Sequence, residues 1–467
     1  MAPGQNSIDA CGFTAVVLVQ NSCSCSPYEY FNAGVMKFIL SIILLLFSVV
    51  LSPAIVFSEE YTFEIPELEK KQYSIGGFIE ARPVLFGLDK DASLYKLRFY
   101  NRDEGATTYE YNARLQLDFS AGRGPVSLFA RTNTDYKKSY LGESQGTIFY
   151  EAYLSLQPSS GLSIEIGKKA LRWGKGYAWN PVAFVDRPKD PDDPELNLEG
   201  FTAASVEYIK SFAGPLKTAS VTAVLVPVYS GVNDGFGDEG LNFAGKLYLL
   251  LYDTDIDLIV LAGDSKTTSY GFDFATNIST NFEVHGELAV INDFRKTVLD
   301  RSGNTSESRH DSLSYLLGIR YLTERETTYI VEYYHNGTGF TAAEMRDYFS
   351  FIDDGYETFL LTGNDSLLRK AFSVTDKSYG RINPMRDYLY VRVSQKDPFD
   401  VLYWTPAITS IVNLSDRSYS LSPEVMYAGV TDLELRLKAS FLSGGSLSEY
   451  GEKQNEYRAE FRARFYF

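Results

Sequence analysis

The stretch Tyr457-Arg458-Ala459-Glu460-Phe461-Arg462-Ala463-Arg464-Phe465-Tyr466-Phe467 decides the fold. In an extended chain Tyr457, Ala459, Phe461, Ala463, Phe465 and Phe467 share one face, and Arg458, Glu460, Arg462 and Arg464 share the other. One face is apolar and its opposite is charged. A half-buried strand of a soluble sheet alternates too, so the pattern alone does not say which medium each face meets. The medium is indicated by the aromatic finish and by repetition upstream. At 109–119, Tyr109, Tyr111, Ala113, Leu115, Leu117 and Phe119 alternate with Glu110, Asn112, Arg114, Gln116 and Asp118, a period no helix can use. Many such strands, apolar toward lipid and polar toward a wet lumen, make an all-β transmembrane antiparallel barrel.

Counting strands by this alternation gives about eighteen, near 73–85, 109–119, 126–134, 147–156, 162–172, 201–211, 216–229, 241–252, 256–263, 269–277, 282–292, 312–322, 327–335, 387–396, 401–413, 418–430, 432–442 and 456–467. Most have about the 9–11 residues that a tilted strand needs to cross a bilayer. The connections alternate short and long. Short ones fall at 121–125, 158–161, 213–215, 253–255, 323–326, 396–400 and 431–432, and the long ones include 173–200, 292–311, 336–386 and 443–455. Short periplasmic turns and long extracellular loops are what a barrel with both ends on the periplasmic side requires. In the longest loop, Thr341-Ala342-Ala343-Glu344 reads as a capping box ahead of a helix over 345–352, and 365–371 reads as a second short helix. A folded loop of this size caps the pore, dips into it, or is a surface loop with local helix.

Composition agrees. Tyr and Phe number 34 and 31 among 467 residues, suiting strands and membrane boundaries. A net charge of −16 argues against a nucleic-acid partner, which needs a basic surface. The slightly negative mean hydropathy of −0.16 argues against a helical membrane bundle, whereas a barrel needs only every second strand residue to be apolar. Met36-Lys37 followed by the apolar run 38–57, with Val56 and Ser58 before Glu59, reads as a signal peptide over 36–58; the alternative is a single membrane-anchoring helix. Residues 1–35 are then an extension ahead of the true start, 59–72 a periplasmic lead-in and 73–467 the barrel. Cys11, Cys23 and Cys25 all fall in the extension, and two nearby thiols without further ligands make no metal site.

The closing strand resembles that of bacterial outer-membrane β-barrels, which commonly ends in Phe. The resemblance implies outer-membrane lipid and lipopolysaccharide as surroundings and the barrel-assembly machinery as a partner of the strand ending at Phe467. The stretch Gly167-Lys168-Lys169-Ala170-Leu171-Arg172-Trp173-Gly174-Lys175-Gly176-Tyr177-Ala178-Trp179-Asn180-Pro181 looks like a pattern in a broad set of these barrels that includes alginate-export-like proteins. There Gly-Arg-Gln is usual where this chain has Gly167-Lys168-Lys169. That likeness implies an eighteen-stranded porin-type barrel moving polar solutes or polysaccharide, and porins of this size are often homo-oligomers.

Strand parity nominates pore-lining residues: Arg82, Arg114, Arg131, Lys169, Arg320, Arg392, Arg436, Lys438, Arg458, Arg462 and Arg464, against Glu80, Glu110, Asp118, Glu151, Glu165, Glu283, Glu287, Glu332, Glu434 and Glu460. The two sets either impose a transverse field that orients a polar solute or form a charge network that holds the wall in shape. The closing strands are locally cationic, which favours small anionic solutes. Trp173 and Trp179 are candidates for a sugar-stacking substrate rim or for anchors at the membrane boundary. The run 186–195, with its acids and prolines, reads as a rigid acidic loop; cation-binding loop spacing is missing. His285 faces the lumen between Glu283 and Glu287, but G-x-S-x-G, H-E-x-x-H and P-loop motifs are all lacking, so no catalytic residue, cofactor or metal is assigned. The expected function is an outer-membrane channel, porin or exporter, for small polar, anionic or saccharide solutes; the alternative is a loop-plugged structural or assembly barrel, such as a secretion or electron-conduit partner.

Overall fold

The computed structural model describes residues 72–102 and 104–467. The extension, the signal peptide and all but the last residue of the lead-in lie outside the described residues. Eighteen antiparallel strands close into one barrel. They are β1 (Tyr73–Leu88), β2 (Thr107–Arg123), β3 (Val126–Ser139), β4 (Gly142–Ser159), β5 (Leu162–Lys169), β6 (Phe201–Ser211), β7 (Leu216–Val228), β8 (Gly240–Leu251), β9 (Thr254–Gly263), β10 (Ser269–Ser279), β11 (Phe282–Leu299), β12 (Thr305–Leu322), β13 (Thr327–His335), β14 (Asp387–Gln395), β15 (Trp404–Asn413), β16 (Ser418–Val430), β17 (Leu433–Ser443) and β18 (Asn455–Tyr466). Each pairs with its sequence neighbours, and β1 pairs with β18 to seal the ring.

The two faces are those that alternation dictates. Ile75, Ile79, Leu117, Ile166, Val221, Phe243, Leu317, Phe461 and Phe465 are exposed on the outside, whereas Glu80, Gln116, Glu151, Glu287, Glu332, Glu460 and Arg462 are buried within. Apolar side chains outside and charges inside are unfavourable in water. The arrangement is stable where lipid surrounds the barrel and every backbone group finds its partner in a closed ladder.

Two expected loops are different in kind. The expected loop at 292–311 is mostly strand: β11 and β12 run past a bulge near Ile291 and turn only between Leu299 and Thr305. The segment 173–200, expected as an external loop, lies inside the barrel. β5 stops at Lys169 instead of continuing to 172 because Arg172 takes a left-handed φ of 57° and the Asp186 carboxylate gathers the N–H groups of Leu171, Arg172 and Trp173. The chain therefore turns inward. β15 likewise begins three residues later than the pattern suggests, after a tight turn at 396–403.

Helices close the long-loop end. α1 (Ser93–Phe99) lies between β1 and β2 and was not anticipated. α2 (Ala342–Thr362) and α3 (Ser366–Val374) occupy the expected positions in the longest loop. The capping box is formed: the Thr341 hydroxyl accepts from the Glu344 N–H, and the Glu344 carboxylate accepts from the Thr341 N–H at 2.7 Å. Lys96 pairs with Asp353 at 2.9 Å and fastens α1 to α2. The apolar faces of α2 and α3, including Met345, Tyr348, Phe349, Ile352 and Leu368, pack with the inward-facing Leu316, Ile330, Tyr388, Tyr390 and Ile411 in one core. The longest loop is thus a cap seated in the mouth of the barrel.

Candidate functional site

Residues 170–200 contact strands around much of the circumference, which only an occupant of the lumen can do. Asn197 donates to Gln116 of β2 at 3.4 Å, the Ala170 N–H to Glu151 of β4 at 3.3 Å, and Lys175 pairs with Asp257 of β9 at 3.0 Å. Glu287 of β11 accepts from the N–H groups of Lys175 and Gly176, both at 2.6 Å, of Val182 at 3.2 Å, and from Asn180 Nδ2 at 3.0 Å. Glu332 of β13 accepts from the N–H of Tyr177 and, at 2.9 Å, of Ala178. On the far side Asp193 meets Arg462 of β18 at 2.6 Å and Arg436 of β17 at 3.3 Å.

The segment has two electrostatic sides. Its first half presents bare N–H groups and Lys175 to the acidic wall of β9, β10, β11 and β13. Its second half presents Asp192 and Asp193 to the basic wall of β17 and β18. Three buried carboxylates, Asp186, Glu287 and Glu332, collect the N–H groups that an irregular chain cannot satisfy internally. Gly174 and Gly176 are required by the tightness of this wrapping. Gly174 has a φ of 98°, and a Cβ on Gly176 would lie 2.0 Å from the Trp179 carbonyl oxygen.

The charges respond to this setting. Burial raises Asp186 above the ordinary carboxylate range even though three N–H donors pull it down. Burial also pushes Asp193 up, but Arg462 and Arg436 outweigh it and hold that carboxyl at about 2. Burial lowers Lys189, with Glu287 and Glu332 opposing. Lys189 donates to the carbonyl oxygens of Gly176 at 2.7 Å and Tyr177 at 3.2 Å, and has no carboxylate partner among the described residues.

Two cavities flank the segment. One, of about 230 Å³, is lined by Arg172, Trp173, Asn180, Asp186, Arg187 and Lys189 among others. The second, of about 240 Å³, is lined by Lys175, Tyr177, Lys189, Glu283, His285 and Arg320 among others. Lys189 lines both.

The residues expected to line a pore all sit on the inner wall, and most are bound to neighbours. Arg114 pairs with Asp135 at 2.6 Å, Arg131 with Asp118 at 2.7 Å and Glu151 at 3.4 Å, and Lys169 with Glu165 at 2.5 Å. Arg392 and Arg436 converge on Glu424 at 2.6 and 2.5 Å, and Arg464 holds Glu80 at 2.7 Å. Lys438 donates to the Asp192 carbonyl, and Arg458 lies 3.7 Å from the Asp192 carboxylate. Arg320 stands in the second cavity without an ion pair among the described residues. His285 lies between Glu332 at 2.8 Å and Glu283 at 3.3 Å, part of the clamp on Tyr177 and Ala178.

Trp173 and Trp179 form neither a rim nor a membrane anchor. They are 4% and 7% exposed and packed inside the barrel. Trp173 joins Val182, Phe184 and Phe201 against the inner faces of β7, β9 and β11. Trp179 stacks on Tyr334 at 5.2 Å and donates Nε1–H to Asn383, whose amide reaches the Tyr450 hydroxyl. This fastens the inner segment to the cap. The acids of 186–195 are not a loose external loop either; Asp186, Asp192, Asp193 and Glu195 all bind the segment or the wall.

No protein-family model matches the chain, and no curated protein matches it. Among solved structures it is similar to OccK5 (OpdH) of Pseudomonas aeruginosa, at 11% identity over 84% of this chain and 98% of that one, with a TM-score of 0.48. It is similar to the outer membrane protein opdK of the same organism, at 9% identity over 84% and 99%, with a TM-score of 0.47. A triple mutant of the Rhodopseudomonas blastica porin shares 11% identity over 85% and 100%, with a TM-score of 0.41. The barrel itself is established by the strand pairing.

Proposed function

We propose that this chain is a channel of the bacterial outer membrane that passes small polar solutes, with anions preferred, through a constriction made by residues 170–200. The observation that carries this reading is the pair of cavities beside that segment, lined by Lys189, which is bonded to two backbone carbonyls, and by Arg320, across the ladder from Glu283; among the described residues neither forms an ion pair, while most of the other wall cations do. An unpaired cation beside a narrow passage attracts anions and repels cations. With both indoles packed away, a saccharide loses the stacking surface that favoured it. No covalent step or cofactor is needed for passage.

A second reading has its own support. The inner segment and the helical cap both occupy the lumen, which suits a barrel shut in its resting state and serving a structural role. Planar-bilayer recording separates the two. The reading as a channel expects a steady conductance, an anion-selective reversal potential under a salt gradient, and a shift toward cations in Lys189→Gln with Arg320→Gln. A folded, heat-modifiable barrel that stays silent moves the weight to the shut barrel. Conductance without anion preference removes the role given to Lys189 and Arg320.

A further inference from the structure

The links at the short-turn end are brief: 124–125, 160–161, 212–215, 252–253, 280–281, 323–326 and 431–432. The link between β14 and β15, residues 396–403, is the longest of them and carries four exposed apolar side chains, where 212–215 and 252–253 carry one each, Phe212 and Tyr252. Its side chains Phe399, Val401, Leu402 and Tyr403 are all exposed, and Phe399, at 96%, more than any other large apolar side chain described.

The backbone holds them there. Asp397, Phe399, Asp400 and Tyr403 have φ values of 46°, 58°, 61° and 70°. Left-handed backbone is unfavourable for residues with a Cβ, and most of all for a bulky one. The geometry is fixed by Asp397, whose N–H donates to the Trp404 carbonyl at 2.8 Å and whose carboxylate accepts from the Tyr403 N–H at 2.5 Å. A turn that met only water would keep neither the strain nor the exposed apolar tip; four strained residues presenting a phenylalanine imply something that receives it.

The neighbourhood indicates what that is. Immediately above the turn, Trp404 packs on Tyr427 at 5.0 Å, and the outward face continues through Ile408 into the apolar exterior. The apolar side chains of the turn extend this lipid-facing surface downward past the end of the strands. An amphipathic element in this position meets headgroups with its charges and acyl chains with its apolar groups.

We infer that the 396–403 turn is a wedge seated in the lipid leaflet at the short-turn end, with Phe399 and Leu402 inserted at the boundary between headgroups and acyl chains. The inference rests on the membrane-spanning fold and not on what the channel passes.

The test places a nitroxide on Phe399→Cys in the full chain reconstituted into phosphatidylethanolamine and phosphatidylglycerol vesicles, with Cys11, Cys23 and Cys25 changed to serine. Collision with oxygen, which concentrates in lipid, is compared with collision with a water-soluble nickel chelate. Ile408→Cys serves as the lipid reference and Glu324→Cys, on another short turn, as the aqueous one. Insertion predicts that label 399 and a second label at Leu402→Cys favour oxygen several-fold, as Ile408 does. Nickel access equal to that at position 324 overturns the inference. Protection from both reagents also overturns it and assigns the turn to a protein partner or a second copy. If the Ile408 reference itself fails to favour oxygen, the membrane-spanning reading fails instead.

Discussion

Replacing Glu287 by alanine should release the constriction without unfolding the barrel. The carboxylate accepts four hydrogen bonds from 174–182, at 2.6, 2.6, 3.0 and 3.2 Å, and is almost wholly buried. A hydrogen bond to a charged group contributes about 1.5–3 kcal/mol, so the gross loss is on the order of 6–12 kcal/mol. Two effects reduce it. Removing a buried carboxylate also removes its desolvation cost, several kcal/mol, and water from the adjoining cavity can reach some of the freed N–H groups. Set against the gross loss, these leave a net of about 3–5 kcal/mol. At about 1.4 kcal/mol per decade, the ratio of displaced to seated segment rises by about 100- to 4000-fold. The ladders of β10, β11 and β12 are backbone bonds and are untouched, so the folded barrel should keep its heat-modifiable migration on gels. The assay is single-channel recording paired with hydrogen exchange. Glu287→Ala should show larger or more frequent openings and fast exchange at Lys175, Gly176 and Val182. Glu287→Gln, which keeps one acceptor oxygen, should lie between. Unchanged conductance and unchanged exchange in a folded Glu287→Ala barrel would refute the claim that this carboxylate holds the segment in place.

Trp179→Ala should loosen the inner segment and the cap together, by about 3–5 kcal/mol for a buried indole, and exchange should quicken both at 177–182 and along α2. Acid should release the second half of the segment. The folded pKa of Asp193 is depressed to about 2 from an ordinary 3.8, so its stabilisation is complete above about pH 3.8 and is lost as the pH falls through about 2; the difference in conductance between wild type and Asp193→Asn should vanish over that window. Thr341→Ala should cost α2 about 1 kcal/mol, seen as faster exchange in its first turn, while the barrel's thermal transition stays put.

The strands were legible because their signal is local. A period of two needs no knowledge of distant residues, and parity at Tyr457 to Phe467 set the faces that the structure shows. The capping box at Thr341 was legible for the same reason. The inner segment was not. Its partners are separated from it by 105–112 residues at Glu287, 154–155 at Glu332, and 243–269 at Arg436 and Arg462. A loop rich in Gly, Trp and Pro has no periodicity to report which side of a wall it occupies. The available signal was indirect: Glu287 and Glu332 stand on inner faces with no basic residue directly across the ladder, Asp273 and Leu316 flanking the first and Gly318 and Tyr390 the second, and a buried carboxylate demands donors. Glycines at 174 and 176 together with such unclaimed acids would have pointed to a backbone amide clamp. The hairpin extension at 292–311 was hidden because beyond the bilayer neither face of β11 or β12 need be apolar, so the alternation fades while the pairing continues.

β1 is bonded on one edge to β2, its immediate successor, and on the other to β18, where Glu80 meets Arg464 at a separation of 384 residues. Gly77 and Phe467 exchange both backbone hydrogen bonds at that seam, each at 3.1 Å. The ring can therefore be sealed only after the final strand has been synthesised and delivered, and this last contact is the most distant in sequence and the slowest kind to find. Until then the sheet has two unpaired borders that will accept any extended peptide. Each border's rightful partner is the other, so during its passage the nascent chain is most at risk from strangers when it is nearly complete.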